Sequence, residues 1–329
     1  MMVLFSEEHL KHRPGNEIWG GRPRPHPEVP SRAEEIIGSL KPHFPVSKPE
    51  PLDMDLLYEV HSRRYLEHLK RTSSKLEGSS EAFPFVFSRG VDPPRNYLAR
   101  RGFYSLDTVT PITAGTYQAA LGAASCAVSG ARMVAAGEGP AYCLCRPPGH
   151  HASREMSGGY CYINNAAVAA MVLGPGRRAI LDIDAHHGNG TQDIFYEDPE
   201  VLTCSVHGDP RTRYPYVGGF ASERGDGKGR EFNINRPLPG ETGGQGWIRA
   251  IDGLLEHIGA FKPAYLVVCL GLDGLSKDRN GPFKLKERDY ALAGEMISRM
   301  DIPTCVVQEG GYYLPSIGEC ARLFLENWS

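Results

Sequence analysis

The sequence lacks three features that would point to a nucleic-acid-binding, membrane or secreted protein. Its 36 lysines and arginines are outnumbered by 39 acidic residues, so the basic excess that phosphate binding needs is missing. No apolar run approaches the roughly 18 residues of a membrane span, and the first residues do not resemble a signal peptide. The eight cysteines are scattered without Cys-x2-Cys spacing, which favours buried thiols over disulfides or a zinc knuckle. These absences predict a cytoplasmic protein with no nucleic-acid or membrane partner.

Composition and periodicity predict a single α/β domain. The 329 residues, 41% hydrophobic and 23% charged, suit an ordinary globular protein, and α/β proteins of this length often form one unit. Unalternated apolar runs with helix-like segments between them predict a mainly parallel sheet that is covered by helices on both faces. These runs lie at 141–145, 178–183, 201–206, 232–234, 264–270 and 303–307. We therefore expect one domain over 1–329, with an irregular inserted loop around 76–101.

The stretch 179–190 carries the first chemical signal. It begins as an apolar run typical of a buried strand and ends in acids, histidines and glycines. Side chains two apart on a strand share a face, so Asp182, Asp184 and His186 are expected to point the same way. A carboxylate and an imidazole at this spacing can chelate a small divalent cation, whereas unpaired they would be costly in a core. The pattern predicts part of a metal site.

Polar residues follow other apolar runs as well, and the carboxyl ends of parallel strands meet at one edge of a sheet. His150 and His151 follow the run at 141–145, Asp273 follows that at 264–270, and Tyr312 follows that at 303–307. Catalytic zinc usually takes three protein ligands, so Asp273 is the candidate to complete the site, with a helix N-cap as its alternative role. Two carboxylates and one imidazole form a hard donor set, which also suits Fe²⁺ or Co²⁺.

The histidine pair is a candidate for acid–base chemistry. Imidazole titrates near neutrality, so His150 or His151 can take a proton from water and return it to a leaving amine; the alternative is that both are turn residues. Asp182 and Asn189 are the polar residues available to set their tautomers. The Tyr312 hydroxyl, which follows two glycines, can donate to a developing oxyanion. Together with a metal ion, these groups predict hydrolysis of an amide or ester carbonyl.

Five motifs in this half of the chain resemble those of the zinc-dependent histone deacetylase family, within the arginase/deacetylase superfamily. They are Arg146-Pro-Pro-Gly-His-His151, Gly158-Gly-Tyr-Cys-Tyr-Ile-Asn-Asn165, Asp182-Ile-Asp-Ala-His-His-Gly-Asn-Gly-Thr191, Gly271-Leu-Asp273 and Glu309-Gly-Gly-Tyr312. Near the start, Phe5-Ser-Glu-Glu8, Trp19-Gly-Gly21 and Arg32-Ala-Glu34 are most similar to the bacterial acetylpolyamine amidohydrolases. The resemblance implies an arginase/deacetylase-like α/β fold.

The resemblance also implies a role for each candidate residue. His151 would be the general base and acid with His150 as its electrostatic partner, and Tyr312 would polarise the acetyl carbonyl. Asp182 would support His150, and Asn189 would support His151. Zinc would be held by three ligands: Asp184, His186 and Asp273.

Two further sites follow only from the resemblance. The narrow acyl tunnel of the family is walled by a glycine and two aromatic residues, which here are Gly159, Tyr160 and Tyr214. A structural potassium ion is common in the family, and backbone groups near the metal strand hold it. The matching residues are Asp182, Asp184, His186, Ser205 and Val206.

The resemblance to the bacterial acetylpolyamine amidohydrolases implies a small acetylated primary amine, such as an acetylpolyamine, as the substrate and a homodimer formed through the insertion as the assembly. Two alternatives stay open: a protein acetyl-lysine deacetylase, which would share every catalytic residue, and a catalytically silent protein that binds acylated ligands. An arginase-type two-metal hydrolase is less favoured because the loop of His150 and His151 lacks the extra carboxylate ligands.

The insertion leaves the charge of the substrate open. It contains residues of both signs, namely Glu77, Glu81, Asp92, Arg89, Arg95, Arg100 and Arg101. A basic rim would repel a polyamine and favour a neutral or anionic acylated compound. The alternative is that these arginines are solvated and face away from the site.

Overall fold

The structure is a computed structural model that describes residues 1–328, and a fully parallel eight-stranded sheet forms its centre. The strands are β1 (Met2–Phe5), β2 (Asn16–Trp19), β3 (Arg22–Pro25), β4 (Val46–Ser47), β5 (Ala141–Leu144), β6 (Arg178–Asp182), β7 (Val201–Gly208), β8 (Asn233–Leu238), β9 (Tyr265–Leu270) and β10 (Thr304–Gln308). Their order in the sheet is β4-β1-β5-β10-β9-β6-β7-β8, and β2 and β3 form a separate antiparallel hairpin. The predicted parallel sheet is confirmed.

Helices cover both faces of this sheet. They are α1 (Ser31–Leu40), α2 (Met54–Val60), α3 (Arg63–Ser73), α4 (Tyr97–Phe103), α5 (Thr116–Ala135), α6 (Asn165–Val172), α7 (Asn189–Phe195), α8 (Gly244–Phe261), α9 (Glu287–Ser298) and α10 (Leu314–Leu325). One hydrophobic core joins α1, α8, α9 and α10 to the sheet, and a second joins α2, α3, α5 and α6 to its other face. No helix within residues 1–328 is long and apolar enough to cross a membrane.

The two cores explain why the strand sequences do not alternate. Tyr142 of β5 points into one core and its neighbour Cys143 into the other, and both are fully buried. A strand that is buried on both faces selects apolar side chains at every position. All eight cysteines are buried and free, as the sequence predicts.

The order of the strands brings the predicted site residues to one edge of the sheet. Strands β5, β10, β9 and β6 are consecutive neighbours, so their carboxyl ends lie side by side at one edge. In this register Asp182, the last residue of β6, lies opposite Cys269 of β9 and Ser205 of β7. The loops that follow these strands therefore converge, as expected for a parallel sheet.

The insertion predicted around 76–101 has little regular structure. It contributes an isolated bridge between Ala82 and Ile112 and the first residues of α4. Asn96 begins this helix, because its side chain accepts hydrogen bonds from the backbone N–H groups of Leu98 (3.0 Å) and Ala99 (3.1 Å).

Candidate active site

The three residues predicted to bind a metal ion converge beyond the ends of β6 and β9. Asp184, His186 and Asp273 each offer a ligand atom, and these atoms lie within 4.8 Å of one another. His186 Nδ1 is 2.7 Å from Asp273 Oδ2 and 3.4 Å from Asp184 Oδ1. Asp184 and Asp273 are almost fully buried.

The chemistry of this cluster fits a divalent cation. One oxygen of Asp184 accepts a hydrogen bond from Gly310 N–H (2.9 Å), and one oxygen of Asp273 accepts from Ala185 N–H (3.0 Å). These backbone bonds orient the carboxylates without neutralising them. Burial and the charge of Asp184 raise the pKa of Asp273 above its usual value. Two buried carboxylates that face one imidazole are costly for the protein alone, and a dication would offset that cost.

His150 is held from two sides. Glu309 Oε2 accepts hydrogen bonds from the backbone N–H groups of Gly149 (2.6 Å) and His150 (3.1 Å), which joins the loop after β5 to the end of β10. The ring Nδ1 lies 2.9 Å from Asp182 Oδ2. Burial alone would lower the pKa of His150, but the carboxylates of Asp182 and Asp184 raise it to about 10. His150 is therefore the charged member of the pair.

His151 is the neutral member. Its Nδ1 lies 2.8 Å from Asn189 Oδ1, an acceptor, so Nδ1 carries the proton and Nε2 keeps the lone pair. Burial and the nearby His150 and His186 rings lower the pKa of His151 well below its usual value. A neutral imidazole with a free Nε2 is the form that accepts a proton.

Tyr312 reaches the same cavity from the end of β10. Its ring lies 5.6 Å from the Tyr160 ring and 4.6 Å from the Arg32 guanidinium carbon. Arg32 also donates to the carbonyl oxygens of Gly311 (2.5 Å) and Glu309 (2.7 Å), so it orders the backbone that presents the tyrosine. Burial raises the pKa of Tyr312 well above its usual value. The phenol therefore keeps its proton at neutral pH and can donate it in a hydrogen bond.

The predicted tunnel residues wall a cavity of about 290 Å³ above the cluster. Gly159 has a φ of +53°, and a Cβ there would lie 2.0 Å from His151 Cδ2, so the position requires glycine. The Tyr214 ring lies 4.9 Å from that of His151, with its edge toward it. Tyr160 donates to Glu17 Oε2 at 2.8 Å. Gly159, Tyr160 and Tyr214 thus line one cavity.

Asp107 organises this wall, a role that the motifs did not indicate. Its Oδ2 accepts hydrogen bonds from Gly159 N–H (2.7 Å) and the Tyr214 hydroxyl (2.6 Å), and its Oδ1 accepts from Val109 N–H (2.9 Å). The residue lies in an irregular segment where no periodicity signals a function. A short acidic residue before Thr110 and Pro111 was the only available hint.

A buried ionic cluster beneath the site was also missed. Glu28 is fully buried and forms ion pairs with Arg146 (2.7 Å) and Arg32 (2.8 Å). Burial would raise the pKa of Glu28, but the two arginines lower it to about 2. Arg146 opens the motif that ends in His150 and His151, so its position in the sequence was a usable signal.

A second group of potential ligands does not form a comparable metal site. His150, Cys161 and Glu309 lie close together. Glu309 Oε2 already accepts from two backbone N–H groups, and its buried Oε1 has no hydrogen-bond partner within residues 1–328, but burial raises the pKa of Glu309 to about 7 and that of Cys161 well above its usual value. A protonated thiol is a poor ligand, so this group supports the histidine loop instead.

His187, the residue after His186, does not line the cavity. Its Nδ1 is 3.4 Å from Ser205 Oγ, and its ring centroid is 4.5 Å from that of His207. Gly219 fits against this pair, because a Cβ there would lie 2.6 Å from His207 Nε2 and 2.8 Å from His187 Cγ. The contact supports the loop after β7, which also carries Tyr214.

Comparisons with known proteins agree with this geometry. Residues 26–328 match the histone deacetylase domain. Acetylpolyamine amidohydrolase 1 of Pseudomonas aeruginosa is 40% identical and covers 97% of this chain and 96% of its own. Acetylpolyamine amidohydrolase of Mycoplana ramosa is also 40% identical, with 97% and 96% coverage. The crystal structure of acetylpolyamine aminohydrolase from Burkholderia pseudomallei superposes with a TM-score of 0.96 at 35% identity, covering 100% of this chain and 98% of that one.

Proposed function

The chain belongs to the histone deacetylase family, and from that premise we propose that it hydrolyses the acetyl amide of small acetylated primary amines. Relatives named acetylpolyamine amidohydrolase support acetylpolyamines as one substrate class. The observation that carries the proposal is the convergence of three groups on one cavity. They are the potential metal ligands, the neutral His151 and the protonated Tyr312.

The proposed cofactor is Zn²⁺, with Asp184, His186 and Asp273 as its ligands. The mixed carboxylate and imidazole set also suits Fe²⁺ or Co²⁺. When bound, such an ion supplies Lewis acidity toward the substrate carbonyl and the attacking water. A structural K⁺ is proposed at backbone groups of Asp182, Asp184, His186, Ser205 and Val206. The side-by-side pairing of Asp182 and Ser205 supports this placement.

The proposed mechanism assigns separate tasks to the side chains. His151 Nε2 takes a proton from the attacking water, while the Asn189 contact holds the opposite ring nitrogen in place. The Tyr312 hydroxyl donates to the carbonyl oxygen as negative charge develops there. Protonated His151 then delivers its proton to the leaving amine nitrogen. His150, paired with Asp182, stays charged and adds positive potential beside the developing oxyanion.

The named relatives favour a small substrate over a protein, because the cavity alone would admit the acetyl-alkyl chain of either. Trp19 and Tyr216 are about half exposed at its opening, and they project above walls that enclose about 290 Å³. This volume suits one acetyl-alkyl chain. The rivals are a protein acetyl-lysine deacetylase and a silent acyl-binding protein. The second is disfavoured because every residue that the mechanism needs is present. The homodimer and the cytoplasmic location stay predictions.

The deciding experiment compares kcat/KM on N-acetylputrescine, N-acetylspermidine and an acetyl-lysine peptide with the zinc-loaded protein. We expect turnover of small acetylated amines to exceed that of the peptide. A strong preference for the peptide would favour the protein deacetylase. Tight binding without any turnover would favour the silent binding protein.

A further inference from the structure

Arginines surround the opening of the active-site cavity. Arg24, Arg213 and Arg279 line it, and among residues 1–328 its only acidic lining residue is Asp184, which belongs to the cluster of potential metal ligands. Arg24 is ion-paired with Glu17. Within residues 1–328, no carboxylate lies within ion-pair distance of Arg213 or Arg279, and the buried Nε of Arg213 has no hydrogen-bond partner. Two guanidinium groups at the opening are thus uncompensated.

The carboxylates close to the opening are already used by the protein. Glu17 is buried and accepts hydrogen bonds from Arg24 and Tyr160. Asp107 accepts the three hydrogen bonds described above. Asp278 accepts from the backbone N–H groups of Asn280 (2.9 Å), Tyr312 (2.5 Å) and Tyr313 (3.1 Å). Each of these acids therefore already accepts two or more hydrogen bonds from the protein, whereas Arg213 and Arg279 have no ion-pair partner within residues 1–328.

A second groove extends the basic surface away from the cavity. It has a volume of about 570 Å³ and shares Arg24, Arg279, Asn280 and Tyr312 with the cavity, and the hydrogen-bonded acids Glu17 and Asp278 line it too. Lys277 adds another cation to this groove and has no ion pair within the described residues. Because Tyr312 and two of these arginines line both the cavity and the groove, an acetylated chain whose amide reaches Tyr312 would extend past the basic residues.

We propose that this basic opening is a subsite for a carboxylate at the far end of the substrate. The inference rests on the proposed deacetylation and adds a substrate class to it: N-acetylated amines that end in a carboxylate, such as acetylated ω-amino acids. A planar guanidinium pairs with a carboxylate through two parallel hydrogen bonds, whereas it repels the ammonium end of a polyamine.

The arginines of the insertion are not part of this subsite. Arg101 is buried, and Arg89 donates to the carbonyl oxygens of Gly102 (3.0 Å) and Ser105 (3.1 Å). No residue of 76–101 lines the cavity or the groove. The arginines at the opening therefore come from other parts of the chain. Arg24 lies on the β2–β3 hairpin, Arg213 on the loop after β7 and Arg279 on the loop after β9.

Three substrates of equal chain length test the charge preference. They are 6-acetamidohexanoate, N-acetylcadaverine and neutral N-hexylacetamide, which place a carboxylate, an ammonium and a methyl group at the same position. With the zinc-loaded protein we expect kcat/KM for the carboxylate to exceed that for the ammonium by about tenfold or more. Because the amide is the same in all three, the ratio reports the far end of the substrate.

Matched variants locate the effect. Arg213→Gln and Arg279→Gln should each lower the carboxylate-to-ammonium ratio by about fivefold, and Arg213→Lys should retain part of the preference. Arg249→Gln, at an exposed position of α8, removes the same charge elsewhere and controls for net charge. A ratio that favours the ammonium, or one that the Arg213 and Arg279 variants leave unchanged, would overturn the subsite.

Failure of the proposed function would look different, because none of the three amides would then be hydrolysed. In that case calorimetry with the same zinc-loaded protein still decides the inference. Tighter binding of 6-acetamidohexanoate than of N-hexylacetamide, weakened in Arg213→Gln, would support the subsite. Equal binding of the two compounds would refute it.

Discussion

Replacing Tyr312 by phenylalanine removes one hydroxyl and leaves its surroundings in place. The ring contacts with Tyr160 at 5.6 Å and with the Arg32 guanidinium at 4.6 Å involve the aromatic face and edge, which phenylalanine retains. Within residues 1–328, no side chain or backbone group hydrogen-bonds to this hydroxyl, so its loss breaks no bond of the folded protein. The substitution also leaves the three potential metal ligands, Asp184, His186 and Asp273, unchanged. The variant therefore tests the hydroxyl alone.

The expected loss is in kcat. Loss of a single donor from an oxyanion site typically lowers kcat by about 10²–10³, which corresponds to about 2.7–4 kcal/mol of transition-state stabilisation. Because the ground-state carbonyl carries little charge, KM should change much less. The assay is steady-state hydrolysis of N-acetylputrescine, with zinc content measured by mass spectrometry and the unfolding midpoint measured by calorimetry. We expect zinc content and midpoint to match the parent protein.

The control variant is Tyr265→Phe. It removes the same atom at the start of β9, whereas the site lies beyond the other end of that strand. Its kcat should equal that of the parent protein. A kcat within a factor of about three of the parent in Tyr312→Phe would remove the tyrosine from oxyanion stabilisation. A parallel loss of zinc would instead mean that Tyr312 acts on the metal site.

Three other substitutions test the remaining parts of the site. Asp273→Asn should weaken zinc binding by more than about 100-fold in a competition titration; full occupancy would place the third ligand elsewhere. Asn189→Asp sets a carboxylate beside His151 Nδ1, which favours imidazolium and raises the pKa of the base. Because the base must be deprotonated, the acidic limb of the pH profile of kcat/KM should move up by about one pH unit. An unchanged limb would show that Asn189 does not influence the pKa of His151. Gly159→Ala places a Cβ 2.0 Å from His151 Cδ2 and should lower kcat/KM by about 100-fold. Activity equal to that of the parent protein would show that the cavity wall can shift to accommodate the methyl group.

The sequence predicted the sheet and most of the site for related physical reasons. Strands buried on both faces must be apolar throughout, so the runs that form β5, β6, β9 and β10 stand out from their surroundings. In a parallel sheet the polar residues just beyond such runs meet at one edge. Asp184, His186 and Asp273 could therefore be grouped from the sequence, although the potassium site, the tunnel residues and the division of roles between His150 and His151 followed only from the resemblance to a family.

The supporting residues were harder to find. Glu28 and Asp107 lie in irregular segments outside the motifs, and each makes contacts with residues more than 50 positions away, as the Glu28–Arg146 ion pair and the Asp107–Gly159 bond (52 positions) show. Periodicity describes local geometry and carries no information about such pairings. Burial in the insertion was equally hard to predict. Arg101 is a charged residue in a segment whose arginines could have been solvated, but its side chain is buried.

The chemistry of the site was thus set locally, and the selectivity of its opening was set by the fold. The metal ligands, histidines and tyrosine each follow a strand directly, so a few backbone steps determine where they lie. Arg24, Arg213 and Arg279 lie on a hairpin and two loops that are distant in the sequence. Only the paths of those loops bring three arginines to one opening while Asp107 and Glu17 are bound to other groups. The charge of the opening depends on which charged side chains these loops bring together, and only the tertiary structure shows that.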